Sequence, residues 1–174
     1  KRVDSTYPYE HLSGCGVGFK LVQALAQSNK IDFSELTDLL DLVAVSVASD
    51  IVPITGENRI LTYYGLKQIN SNPSLGLKGI IEICGLTYKN ITVNDIIFKI
   101  GPRINASGRM MKGKEAVDLL LANTIEDARE KSTNIDHYND DRRELDKRIT
   151  EEAIQFIDET VDMKTEKSIV VYNE

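Results

Sequence analysis

Asp50 is the first residue whose type and position suit chemistry. It follows the apolar run Leu42-Val-Ala-Val-Ser-Val-Ala48 and precedes Ile51-Val-Pro53. A short carboxylate therefore stands where a buried element reaches the surface, and a fixed oxygen ligand of that kind suits a hard divalent cation. The same spacing also fits a cap on the turn into Pro53. One carboxylate is not a metal site, because hard cations take several oxygen ligands, and no second Asp/His cluster accompanies it.

The segment Lys99-Ile-Gly-Pro-Arg103-Ile-Asn105-Ala-Ser107-Gly-Arg109-Met-Met-Lys112 has four basic residues and no acid. Read as a loop held open by Gly101-Pro102, it would offer backbone amides, a hydroxyl, an amide side chain and two guanidinium groups to phosphate oxygens. The plainer reading is a solvated basic loop between helices. Gly14-Cys-Gly16-Val-Gly18 opens a helix, and glycine-rich helix starts can cradle phosphate. It lacks a preceding strand and a phosphate-binding lysine, so close packing of the helix start against a neighbour is the stronger reading. Cys15 has no base placed with it. His137, among Asp136, Asp140 and Asp141, reads as a surface histidine. Glu57-Asn58-Arg59 fits either a polar shell around Asp50 or a simple helix start.

These residues must be carried mainly by helices. All four prolines and all eleven glycines lie at or before Gly113, so short helices separated by Gly/Pro loops give way to one long one. Residues 1–10 form an extended lead-in. Ser13 caps a helix over 15–27 whose apolar side holds Val17, Leu21 and Leu25, with Phe19 and Val22 beside them. Asp32-x-x-Glu35 has capping-box spacing and opens a second helix. The run 42–48 within it is so apolar and β-branched that a buried strand fits as well. Helices follow over 57–69, 75–84, 92–100 and 113–122, the third ended by Gly101-Pro102. From Thr124 to about Val161 the pattern is one long helix, capped by Thr124-x-x-Asp127. Its thin, interrupted apolar seam (Ile125, Ala128, Ile135, Tyr138, Leu145, Ile149, Ile157) suits spanning a distance more than filling a core. A coiled coil is the other reading, weakened by the polar gaps at Ser132 and Arg142.

Charge divides along the same line. The 174 residues carry a formal net charge of −6, but residues 1–112 sum to +2 and residues 113–174 to −8. The acidic average would speak against a nucleic-acid coat protein, yet it describes neither half. Two cysteines without CxxC or HxxxH spacing exclude a structural zinc site and fit a reducing compartment. No apolar run is long enough to span a bilayer. With no signal peptide, the expected location is the cytoplasm. Lys1 at the start and the strand-like Ser168–Glu174 at the end suggest a piece of a longer protein.

Three blocks then occur in order: Leu12-Ser-Gly-Cys-Gly-Val-Gly-Phe-Lys20, Asp41-Leu-Val-Ala-Val through Asp50-Ile-Val-Pro to Ile60, and Gly101-Pro-Arg-Ile-Asn-Ala-Ser-Gly-Arg-Met110. Together they resemble the RecJ family of single-stranded-DNA-specific exonucleases, within the DHH phosphoesterase superfamily. The resemblance implies a mainly α fragment of an α/β protein, made of the C-terminal part of a DHH catalytic lobe (1–123), a long connecting helix (124–161) and the first strand of the next domain (168–174). It implies 5′-to-3′ hydrolysis of single-stranded DNA with Mn²⁺ or Mg²⁺, in DNA repair and recombination, by a monomer with no membrane partner. A single-strand-binding protein or a helicase is the candidate protein partner. It puts Asp50 on the family's last metal-ligand motif, and Arg103, Asn105, Ser107 and Arg109 on the nucleic-acid groove. The family's other ligands lie in aspartate-rich and Asp-His-His motifs that this chain does not contain, so it is expected to be inactive alone. The rival readings are a non-catalytic helical interaction module and a DHH phosphoesterase of short oligonucleotides or cyclic dinucleotides.

Overall fold

The computed structural model describes residues 4–110, 113–161, 166 and 168–172, with only the backbone described at Arg109 and Met110. Helix α1 spans Gly14–Ser28, and the Ser13 hydroxyl accepts the Gly16 amide at 3.1 Å, as the sequence predicts. Of the residues expected on its apolar side, Phe19 alone is buried. Phe19 and Ala26 are buried, while Val17, Leu21 and Leu25 stand exposed. The close packing expected of the glycines holds only at Gly16, where a side chain would meet Ser13 and Leu12; Gly14 and Gly18 face open space.

Asp32 caps a 3₁₀ turn over Phe33–Leu39 by accepting the Ser34 amide. Helix α2 follows over Leu40–Ser49, so the apolar run is helical. Its all-round hydrophobicity has a packing cause. Leu40, Val43 and Val47 join Phe19, Ala26 and Leu36 in one core cluster. Ala44, Val45 and Ala48 join Leu77, Ile80, Ile96, Ile100, Leu119 and Ile135 in a second. A helix buried on both sides has no polar face to set its period.

Helix α3 spans Gly56–Ser71 and α4 spans Leu75–Ile83. Two close approaches lock them in place. At Gly65 a β-carbon would lie 2.2 Å from the Leu40 carbonyl oxygen, and at Gly79 it would lie 2.5 Å from the Ser132 hydroxyl. Buried Asp41 is satisfied by the amides of Leu42 at 2.6 Å and Ser74 at 2.8 Å, which fixes the entry to α4.

The 99–112 segment corrects the sequence reading. After the capping box of α5, Val93–Asp95, one π-turn covers Ile96–Ile100 and runs directly into α6, Gly101–Met110. Gly101-Pro102 does not end the helix. Pro102 removes a donor and crowds the preceding turn. The wider π register, in which the Gly101 amide bonds to the Ile96 carbonyl, takes up that conflict. Lys99, Arg103 and Arg109 therefore lie on helical turns and not on an open loop, and Lys112 lies outside the described residues.

Helix α7 covers Lys114–Leu120, and Thr124 caps α8 over Ile125–Thr160. At 36 residues, α8 is about 54 Å long. Its buried stripe is Ala128, Ser132, Ile135 and Asn139. Ser132 is thus no gap in the seam, because a small residue is needed where Gly79 meets the helix. Beyond Asn139 the helix leaves the core, and Ile149, Ile154 and Phe156 are exposed. Residues 168–172 form no β-ladder with any described residue. Among the described residues no helix is long and apolar enough to cross a membrane.

Candidate metal and nucleic-acid site

Asp50 is the residue that closes α2. Its amide bonds to the Ser46 carbonyl at 2.9 Å, and its Oδ2 accepts the Ser46 hydroxyl at 3.1 Å. The exposed carboxylate is therefore oriented by its own helix. Ile51 follows with φ +54°, a left-handed conformation that costs a β-branched residue about 1–2 kcal/mol.

The turn that needs this conformation is held from behind. Fully buried Asn58 donates to the carbonyls of His11 at 2.7 Å and Pro53 at 3.0 Å. The Tyr9 hydroxyl also donates to Pro53 O, at 3.1 Å. Glu57 accepts the Tyr7 hydroxyl at 2.7 Å and pairs with Lys20 at 3.0 Å. Desolvation opposes its charge, but Tyr7 and Lys20 outweigh it and hold Glu57 below the usual carboxylate range. Glu57-Asn58-Arg59 forms the first turn of α3, and the contacts of Asn58 and Glu57 brace the 51–55 turn and the lead-in. Cys15 sits within the field of Asp41 and Asp50. Burial and these two carboxylates push its thiol up, which keeps it protonated and unsuited to nucleophilic work.

Next to Asp50 opens a cleft of about 270 Å³. The end of α2 gives Ser49 and Ile51, the π-turn gives Ile97, α6 gives Pro102 and Asn105, and α8 gives Arg142. Among the described residues no carboxylate lines it. The Ser49 hydroxyl and the Arg142 Nε are buried without a partner among the described residues. The rest of that guanidinium is engaged, Nη1 with Asp146 at 3.0 Å and Nη2 with the Asn139 side chain at 3.4 Å. Unpaired buried donors are costly and uncommon. Two of them on one polar cleft, with an exposed amide side chain beside them, suit an anionic oxygen ligand.

The site residues expected from sequence divide between this cleft and the core. Asn105 lines the cleft together with Ser49 and Ile51, the chain neighbours of Asp50. Arg103 points toward α8, where its Nε donates to Asp136 at 2.6 Å and its Nη1 to the Lys99 carbonyl at 3.0 Å. Ser107 is fully buried and its hydroxyl donates to the Ile104 carbonyl at 3.0 Å. The side chain of Arg109 lies outside the described residues. Arg142 was missed as a site residue because the seam pattern marked it only as an interruption. Its spacing of three from Asn139 on the buried stripe was the available signal. Among the described residues no three His, Cys, Asp or Glu side chains converge to hold a metal ion.

Over 160 residues the sequence is 35% identical to the single-stranded-DNA-specific exonuclease RecJ of Bacillus subtilis, covering 91% of this chain and 20% of that protein. The RecJ of Haemophilus influenzae is 37% identical over 161 residues, covering 86% and 27%. The chain is similar to a segment of RecJ. The backbone agrees: the Mn²⁺ complex of RecJ from Thermus thermophilus matches with a TM-score of 0.77 at 28% identity, over 85% of this chain and 22% of that one. A Mg²⁺ complex from the same organism gives 0.76. The chain spans between 20 and 29% of the curated RecJ relatives it matches. No family model matches it.

Proposed function

We propose that this chain is part of a metal-dependent 5′-to-3′ exonuclease for single-stranded DNA, acting in repair and recombination in the cytoplasm. The observation that carries the reading is the cleft beside Asp50, with the unpartnered Ser49 hydroxyl and Arg142 Nε inside it. Asn105, Ser49 and Arg142 hold a phosphate of the strand through neutral and charge-assisted hydrogen bonds. Ile51, Ile97 and Pro102 exclude water from its sugar. Asp50, steered by Ser46, supplies one carboxylate to a cation, Mn²⁺ or Mg²⁺, whose charge offsets that developing on the phosphate. The remaining ligands come from outside the chain. Residues 1–123 complete the catalytic lobe, helix 124–161 connects it to the next lobe, and 168–174 begin that lobe. Arg103 steadies α6 against α8 through Asp136, and Arg109 joins the groove. The parent enzyme is monomeric and works with a single-strand-binding protein or a helicase.

The test is binding of a labelled single strand to the purified chain at several salt concentrations. Arg142→Ala and Asn105→Ala should weaken it, and Arg142→Ala should lower the salt slope by about 0.7, the value for one phosphate contact on a single strand. Unchanged affinity and slope would refute the assignment of the cleft. The chain alone should hydrolyse nothing, and Mn²⁺-dependent nuclease activity from it would overturn the incomplete-site reading.

A further inference from the structure

The outer face of α3 has a composition that the cleft does not explain. Arg59, Ile60, Tyr63, Tyr64 and Lys67 are all exposed, while Asn58, Thr62, Gly65 and Ile69 are buried. Tyr63 and Tyr64 are 54% and 52% exposed, with ring centroids 5.1 Å apart at an interplanar angle of 83°. The Lys67 ammonium stands over both rings, 4.6 Å from one centroid and 5.6 Å from the other. Arg59, Ile60, Tyr63 and Tyr64 border a shallow cleft of about 420 Å³ with Ile54, Thr62, Leu66 and Val93, and among the described residues no carboxylate lines it. The only acid on α3, Glu57, is turned to Tyr7 and Lys20. On a chain of net charge −6, two cations flanking two open rings make a locally positive, aromatic surface.

We propose that this face is a stacking track for a single-stranded nucleic acid. Cores of protein–protein interfaces are depleted in lysine, whereas interleaved aromatic rings and cations are what sequence-tolerant single-strand binding uses: bases stack on the rings and phosphates meet the cations. The track is also in reach of the cleft. Ile54 borders it and is four residues from Asp50, a chain span of at most about 14 Å. From Arg59 to Lys67 the helix rises about 12 Å, which gives the track room for more than one base. A strand held by a phosphate beside Asp50 continues over Tyr63 and Tyr64. The inference rests on the single-strand reading above and adds to it a second contact surface that binds bases.

The experiment titrates the chain into a 5′-fluorescein-labelled 15-mer of thymidylate and into an abasic strand of equal length, followed by anisotropy. The parent should prefer the thymidylate strand. Tyr63→Ala with Tyr64→Ala should weaken thymidylate binding by about 10- to 30-fold and erase that preference. Tyr63→Phe with Tyr64→Phe should restore both, since the stacking face is kept. Lys67→Glu, a surface change that leaves the rings in place, should weaken both strands. If the alanine pair binds like the parent while Arg142→Ala is impaired, the track is overturned and the cleft reading stands. If the parent binds neither strand, both fall together. If the alanine pair keeps its DNA affinity but dissociates a dimer in sedimentation velocity, the face is a contact between copies and the track is overturned.

Discussion

Replacing one helical glycine by alanine should have opposite signs at two positions of this chain. Alanine is the better helix former by about 1 kcal/mol. At Gly18 a β-carbon meets nothing within 4 Å, so Gly18→Ala should stabilise by about 0.5–1 kcal/mol. At Gly65 it would lie 2.2 Å from the Leu40 carbonyl oxygen and 2.5 Å from the Ala44 β-carbon. The first obstacle is backbone and has no rotamer to change, so α3 must back away from α2 by about 1 Å. A gap of that size forfeits a quarter to a half of each dispersion contact along the seam. Overpacking adds about 1–3 kcal/mol. Against the propensity gain of about 1 kcal/mol, the net loss should be about 1–2 kcal/mol, a sizeable part of a domain's total stability. Urea unfolding followed by circular dichroism at 222 nm measures it, with the Gly65→Ala midpoint about 1 M lower and the Gly18→Ala midpoint slightly higher. If both variants stabilise, α2 and α3 do not approach as described and the reasoning fails.

Further outcomes follow from named contacts. Arg103 and Asp136, a half-buried pair at 2.6 Å, should show a coupling of about 1–2 kcal/mol in a double-mutant cycle of Arg103→Met and Asp136→Leu; additive effects would mean that the pair does not tie α6 to α8. Asp95 has a carboxyl held down at about 2 by the Lys99 ammonium and then by Thr92. Its folded value lies below the unfolded one, so its stabilisation is present above about pH 4 and lost as pH falls through 2. Asp95→Asn should therefore cost about 1 kcal/mol at pH 7, as for a lost helix cap, and nothing near pH 1.5. A cost that persists in acid would exclude the ionised carboxylate as its source.

Local signals in the sequence located what is held locally. Ser13 and Thr124 marked the starts of α1 and α8 because a cap bonds to amides two or three residues away. Asp50 could be picked out because a carboxylate at the end of an apolar run is visible in one dimension. The faces of α1 and α2 could not be assigned, since both helices are apolar around most of their circumference and only the tertiary arrangement decides which side is buried. The continuation through Gly101-Pro102 was illegible for a different reason: the π-turn that permits it has no compositional mark. Arg142 reaches Ser49 and Asn105 only after α8 has been laid along Gly79, so its place on the cleft is a product of the fold.

The π-turn over Ile96–Ile100 also acts as an angular key. In an α-helix one residue is worth about 100° of rotation, so a five-residue turn offsets α6 by that angle from the helix that would otherwise continue from α5. Ala106 meets the core, Arg103 meets Asp136 and Asn105 meets the cleft only at this setting. Deleting a single residue from 96–100 would leave every side chain of α6 in place in the sequence, yet turn Asn105 off the cleft and bring a neighbour round to take its bearing. A one-residue length change there would act on the site as strongly as replacing the site residues themselves, while conservative substitutions of the same isoleucines would leave the setting alone.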